Sequence, residues 1–179
     1  MIDPITRQRL WHIALYLAIA AALLFLRLLP ISPGTGGLPG PDLMLALTLA
    51  WVLRRPDYVP ALMIAAVFVL EDLMYQRPPG LWALAVLLGT EFLRAREPGL
   101  RDLTFLLEWL VVGAVMAAML LLTRTVLLVL MVPQPPLGLA LLQYLATLVA
   151  YPVVVVASHL AFGLRRAAPG EVDAFGRKL

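Results

Sequence analysis

Six charged side chains stand where the surrounding sequence is apolar: Asp42, Glu71, Asp72, Arg77, Glu108 and Arg124. Ionised groups in such surroundings are costly if they face lipid, so each needs a polar partner or a wet position. Glu71 and Asp72 are adjacent, at the end of the apolar run Tyr58–Leu70 and just before the break Arg77-Pro78-Pro79-Gly80. Glu71 lies five residues before Gln76, only ~8 Å from the turn at the helical rise per residue. Two environments fit that depth. Either both acids are hydrated at the interface, or one faces the interior and pairs with Arg77 or Arg124. Neighbouring helical residues point about 100° apart, so the two acids cannot easily share one partner. Asp72 suits a hydrogen-bonding structural role, because the chain turns directly after it. Asp42 follows Pro41 and opens an apolar run; its carboxylate suits an N-cap and the positive end of a helix dipole.

Arg124 lies eight residues before Val132, ~12 Å below the end of its segment. It either snorkels to the interface or finds an interior partner. Glu91 precedes Arg94 by three residues, the spacing of an ion pair on one helix face. Glu108 and His159 lie near the same ends of their spans, which permits a contact between them. A proton relay would need a longer chain of such groups, and the sequence offers too few.

Motifs for catalysis are missing. The chain has no H-E-x-x-H, no G-x-S-x-G and no Walker-type glycine loop. His12 and His159 have no ligand-spaced companions, and the absence of cysteine excludes disulfides and thiolate metal sites. No cofactor, no metal and no enzymatic activity are expected.

The elements that must position these groups are apolar helices. Of 179 residues, 62% are hydrophobic and 14% charged, and the mean hydropathy is +0.92. Soluble domains sit near half apolar and a quarter charged. The fold class expected is therefore an all-α integral membrane protein forming one membrane domain, residues 1–179. Pro- and Gly-rich breaks divide it into six spans, at about residues 10–29, 42–53, 58–76, 81–93, 103–132 and 137–164. The first span is too long for a typical cleavable signal, and no small-residue cleavage pattern follows it. The second and fourth are short for ~30 Å of hydrocarbon and must tilt, borrow loop residues or thin the bilayer. Pro152 is expected to kink the sixth. Ala14, Ala18 and Ala22, and Gly113 with Ala117, recur at the spacing of closely packed helices. Trp11, Trp51, Trp82 and Trp109 fall near span ends, as in an aromatic belt.

Six crossings put both termini on one side. Arg7, Arg9, Arg54, Arg55, Arg94, Arg96, Arg101, Arg165, Arg166, Arg177 and Lys178 then share that side, leaving only Arg27 and Arg77 opposite and Arg124 within a span. By the positive-inside rule both termini are cytoplasmic. The net charge of +3 reflects these short basic turns and gives no reason to expect nucleic acid.

In the stretch Pro39–Gly89 the chain resembles the bacterial rod shape-determining MreD family. The residues that carry the resemblance are Pro41-Asp42, Trp51-Val52-Leu53-Arg54-Arg55-Pro56, Glu71-Asp72-Leu73 and Pro79-Gly80-Leu81-Trp82-Ala83-Leu84. The resemblance covers about fifty residues, and the turn Arg77-Pro78-Pro79-Gly80 departs from a plainer Pro-Leu-Gly. It implies a non-enzymatic inner-membrane scaffold of the cell-elongation complex, controlling cell shape and peptidoglycan synthesis by binding MreC. MreB, RodZ and RodA with its transpeptidase would form the wider complex. It also implies a six-span fold similar to the substrate-binding subunits of energy-coupling-factor transporters. That likeness, with the acids and Arg124, gives the alternative: a small-molecule-binding membrane subunit of a transporter. The two short spans do not correspond in a three-plus-three repeat, which counts against it. An intramembrane enzyme using Glu71, Asp72 or Glu108 is a third reading.

Overall fold

A computed structural model describes residues 4–29, 39–100 and 104–162. These form α1 (Pro4–Leu28), α2 (Leu43–Arg54), a 3-10 turn (Pro56–Tyr58), α3 (Ala61–Met74), α4 (Leu81–Leu100), α5 (Phe105–Val129) and α6 (Leu137–Phe162), with no strand among the described residues. Thr6–Leu28, Phe105–Val129 and Leu137–Phe162 are long and apolar enough to cross a membrane. α2 and α3 have 12 and 14 residues, ~18 and ~21 Å of helix.

The short α2 is the centre of the molecule. Met44 through Arg54 are all buried, and α2 packs against α1, the 3-10 turn, α4 and α6. A helix sheathed by protein on every side need not match the bilayer thickness itself, because its polar ends meet side chains and not lipid. Trp51, Tyr16, Tyr151, Phe68 and Leu49 are fully buried around it. α3 packs on α4, α4 on α5, and α5 on α6. α6 presents Thr147, Tyr151, Val155 and Ser158 as its buried residues, a stripe at the spacing that keeps one helix face on a partner. Large apolar side chains turn outward on the surrounding helices, among them Leu62, Leu121, Leu128 and Leu160.

Two helices end on residues in the left-handed region. At the end of α3, Gln76 has φ +52°, its N–H bonds Leu73 O, and the Arg77 N–H bonds Asp72 O. At the end of α5, Met131 has φ +54°, with matching bonds to Leu128 O and from Val132 N–H to Leu127 O. Both are Schellman caps in which a side-chain-bearing residue occupies the place usually taken by glycine. Where α5 meets α6, the Gly113 carbonyl accepts from Tyr144 Oη at 3.1 Å. A Cβ at Gly113 would stand 3.1 Å from Leu148 Cδ1.

Several sequence expectations need correction. The first helix starts at Pro4 and not at residue 10, since proline suits the first helical position. The third span is divided: Pro56 opens a 3-10 turn, and α3 starts only at Ala61 after Pro60. α4 runs on to Leu100, so Arg94 and Arg96 belong to a helix and not to a turn; no residue strong enough to break the helix precedes them. α5 is shorter than expected, ending at Val129, and α6 is helical from Leu137 to Phe162, the expected end at 164 lying outside the described residues. Ala14, Ala18 and Ala22 face outward; the inward face of α1 carries Tyr16 and Ala20 instead. Trp51 is no interfacial residue: it is fully buried, and its indole N–H donates to Ser158 Oγ at 3.3 Å.

Candidate functional site

The charged residues gather at the two ends of α2. At its N-terminal end, Asp42 is the N-cap, its Oδ1 accepting the Leu45 N–H at 3.1 Å. The Asp42 N–H donates to Thr147 Oγ1 on α6 at 2.8 Å. The guanidinium of Arg27, in the last turn of α1, reaches both Asp42 Oδ1 at 3.0 Å and Glu71 Oε1 on α3 at 3.2 Å. One arginine therefore ties three helices, using the fork geometry that distinguishes arginine from lysine. Arg27 also lies over the Tyr75 ring, 5.9 Å from its centroid.

Glu71 and Asp72 are both fully buried, which excludes the hydrated position for them. The inward-facing alternative holds for Glu71, but its partner is Arg27, not Arg77 or Arg124. The 100° offset between neighbouring residues sends Asp72 elsewhere. Its Oδ2 accepts the N–H groups of Gly80 at 3.0 Å and Ala83 at 3.2 Å. Asp72 thus caps the first turn of α4 from the end of α3 and fixes the hairpin angle between them.

At the other end of α2, Arg54 is buried and bonds Glu108 Oε1 at 3.0 Å. Tyr151 Oη on α6 donates to the same oxygen at 2.8 Å. The contact that the sequence permits between Glu108 and His159 is not formed: His159 is exposed, while its neighbour Ser158 faces Trp51. Arg54 is no turn charge either, because α2 carries it into the core. Between the two ends, Thr48 Oγ1 donates to Met44 O at 2.8 Å. Its one proton is then engaged, so Tyr16 Oη on α1 is the donor in their 2.8 Å contact.

The Glu91–Arg94 pair forms at 3.1 Å, as its spacing predicts. Arg94 also donates to Pro56 O and Val59 O, closing the turn between α2 and α3.

Arg77 and Arg124 join neither cluster. Arg77 lies over the Tyr75 ring at 4.9 Å and the Trp82 ring at 6.0 Å. Arg124 is half-buried and gives two N–H groups to Pro135 O, at 3.3 and 3.2 Å, while Gln134 Nε2 donates to Arg124 O. Both arginines line a cavity of about 350 Å³ at the Asp42 end of the bundle. Asp42, Trp82, Thr123, Gln143, Tyr144 and Thr147 add polar groups, and Met116, Leu120, Leu127 and Val132 an apolar wall. A second, apolar groove of about 570 Å³ lies between α4 and α5, with Ala85, Gly89, Ala114 and Ala118 along it and Arg96 beside it.

Chemically, the clusters brace. Each carboxylate among Asp42, Glu71, Asp72 and Glu108 is engaged by a guanidinium or by backbone N–H groups. Among the described residues no group of three or more His, Cys, Asp or Glu side chains is placed to hold a metal ion. The cavity has the size and mixed lining of a small-ligand site. The sequence reading missed Arg27 and Arg54 as partners. The side assignment alone would have placed Arg27 with Asp42 and Glu71, because the end of the first span and the start of the second share a face. No family model matches the chain, and neither a curated protein nor a solved structure matches it.

Proposed function

We propose that the chain is a non-enzymatic, six-span scaffold of the bacterial rod complex in the inner membrane, with both termini cytoplasmic, acting through MreC. MreB, RodZ, RodA and its transpeptidase form the wider assembly in this reading. The resemblance over Pro39–Gly89 supplies the family. The observation that carries the reading is the use of the buried acids: Glu71 is held by Arg27, Glu108 by Arg54 and Tyr151, and Asp72 by the first turn of α4. Such groups stiffen a helix arrangement and leave the outward apolar faces to partners in the bilayer.

The three long helices account for three crossings. In this reading α2, α3 and α4 complete six, with α2 as the buried centre, in the manner of the energy-coupling-factor subunits. The test is co-purification with the cognate MreC in mild detergent, for the wild type and for Asp72→Ala. Capture by the wild type supports the scaffold. Absence of capture by well-folded protein overturns it.

The cavity at the Asp42 end favours a second reading, a small-molecule-binding membrane subunit, since a bundle filled by its own side chains would leave no such space. Thermal-shift screening of small ligands on the purified chain tests it.

A further inference from the structure

We infer that the cavity at the Asp42 end binds a phosphate group carried by an anionic amphiphile, Arg77 and Arg124 holding the phosphate and the wall of Leu120, Leu127 and Val132 taking the start of its chain. The inference deepens the ligand-binding reading of this cavity, and MreC capture does not depend on it.

Three observations lead there. First, the two arginines lack what the arginines beside them have. Arg27, Arg54 and Arg94 each have a carboxylate within 3.2 Å, whereas no ion pair is formed by Arg77 or Arg124 among the described residues. An arginine at membrane depth that forms no ion pair with the protein's own carboxylates is free to pair with an anion from outside. The acid that does line the cavity, Asp42, has its Oδ1 held by Arg27 and Leu45 N–H, so it does not neutralise them. Glu71 and Asp72 do not line it.

Second, both guanidinium groups are held in place before any ligand arrives. Arg77 is fixed over two aromatic rings. Arg124 spends two N–H groups on Pro135 O, leaving three of its five donors. A preset fork favours a tetrahedral oxyanion with several acceptors over a single-atom halide. The Trp82 indole N–H, in the same wall, is buried without a partner.

Third, Arg77 lies in the α3–α4 turn and Arg124, on α5, reaches the α5–α6 turn through Pro135 O, while Leu120 and Leu127 of α5 and Val132 just beyond it add an apolar wall. A site with a charged mouth at the level of two membrane turns and an apolar side matches a headgroup joined to a chain. Basic pockets between membrane helices bind anionic lipid headgroups in this way.

The experiment uses the purified full-length chain in mild detergent and native mass spectrometry. Four probes are compared: inorganic phosphate, and phosphatidic acid, phosphatidylglycerol and phosphatidylcholine with matched acyl chains. Retention of the two anionic lipids above phosphatidylcholine is expected. R77Q/R124Q should weaken it at least about tenfold, the loss expected for charge-assisted bonds, with R124K intermediate. Leu120→Trp narrows the apolar side while keeping both arginines, and should expel the lipids while sparing inorganic phosphate. Inorganic phosphate retained as strongly as lipid, and lost in R77Q/R124Q, would make the source a free phosphate compound and overturn the chain-binding half. Equal retention of phosphatidylcholine, undiminished lipid binding in R77Q/R124Q, or no retention of any probe would overturn the proposal entirely. MreC capture, measured on the same preparations, shows separately whether the scaffold reading stands.

Discussion

The Arg27 guanidinium lies 3.2 Å from Glu71 Oε1 and 3.0 Å from Asp42 Oδ1, a single cation shared by two acids from two other helices. Glu71 is fully buried and Arg27 partly so. Removing the cation leaves the acids without it in a low-dielectric setting.

Arg27→Gln is therefore expected to destabilise the chain by ~3 kcal/mol or more, the range for breaking a buried pair from one side. Arg27→Lys should recover only part, since an ammonium cannot present the same fork to both carboxylates. Thermal unfolding in detergent measures this. The double variant Arg27→Gln, Glu71→Gln should lose less than Arg27→Gln alone, because no unpaired charge at Glu71 then remains; an equal or larger loss would refute the pairing.

The Arg54–Glu108 pair predicts a similar asymmetry. Glu108→Gln strands a buried guanidinium and should cost ~3 kcal/mol or more. Arg54→Met combined with Glu108→Leu should be far milder, since apolar replacement of both members removes the desolvation cost. Unfolding midpoints of the single and double variants decide between them.

Asp72 acts on α4 as a cap supplied from outside the helix, through a single oxygen. Asp72→Asn keeps an acceptor there and should stay close to the wild type. Asp72→Ala should lose about 1–2 kcal/mol, as for loss of a helix cap. Equal stability of the two variants would show that the capping bonds contribute nothing.

Met131 is almost wholly exposed, at 92%, and holds φ +54°. Glycine adopts that conformation without the strain of about 1–2 kcal/mol that a side chain incurs. Met131→Gly should leave stability unchanged or raise it by up to ~1 kcal/mol, after the extra entropy of glycine in the unfolded chain. The same comparison at Gln76 tests whether the effect belongs to the cap.

Much of the helix plan was legible because apolar runs alternate with strong breakers, Pro56 and Arg77-Pro78-Pro79-Gly80 among them. The Asp42 cap and the Glu91–Arg94 pair were legible because their geometry is local, within four residues. Arg27 with Glu71, and Arg54 with Glu108, are separated by 44 and 54 residues. No spacing rule reaches that far, and only the relative placement of helices settles it. The alanine stripe of α1 misled because alanine tolerates lipid and protein contact equally. Trp51 misled because a position near a span end says nothing about which face it takes. The cavity was not legible at all, since it is a gap between turns that are distant in sequence.

The sheathing of α2 has a consequence for how the chain is made. Its polar groups are answered from both directions along the polypeptide: Tyr16 and Arg27 precede it, whereas Glu108, Thr147 and Ser158 follow it. During synthesis α1 is available when α2 forms, whereas α5 and then α6 emerge after it. Arg54 waits for Glu108 on α5, and Trp51 and the Asp42 N–H wait for Ser158 and Thr147 on α6. A chain interrupted before residue 137 lacks Ser158 and Thr147, the partners of the Trp51 indole and the Asp42 N–H. Among the described helices, α6 completes the set of side chains on which the centre of α2 depends.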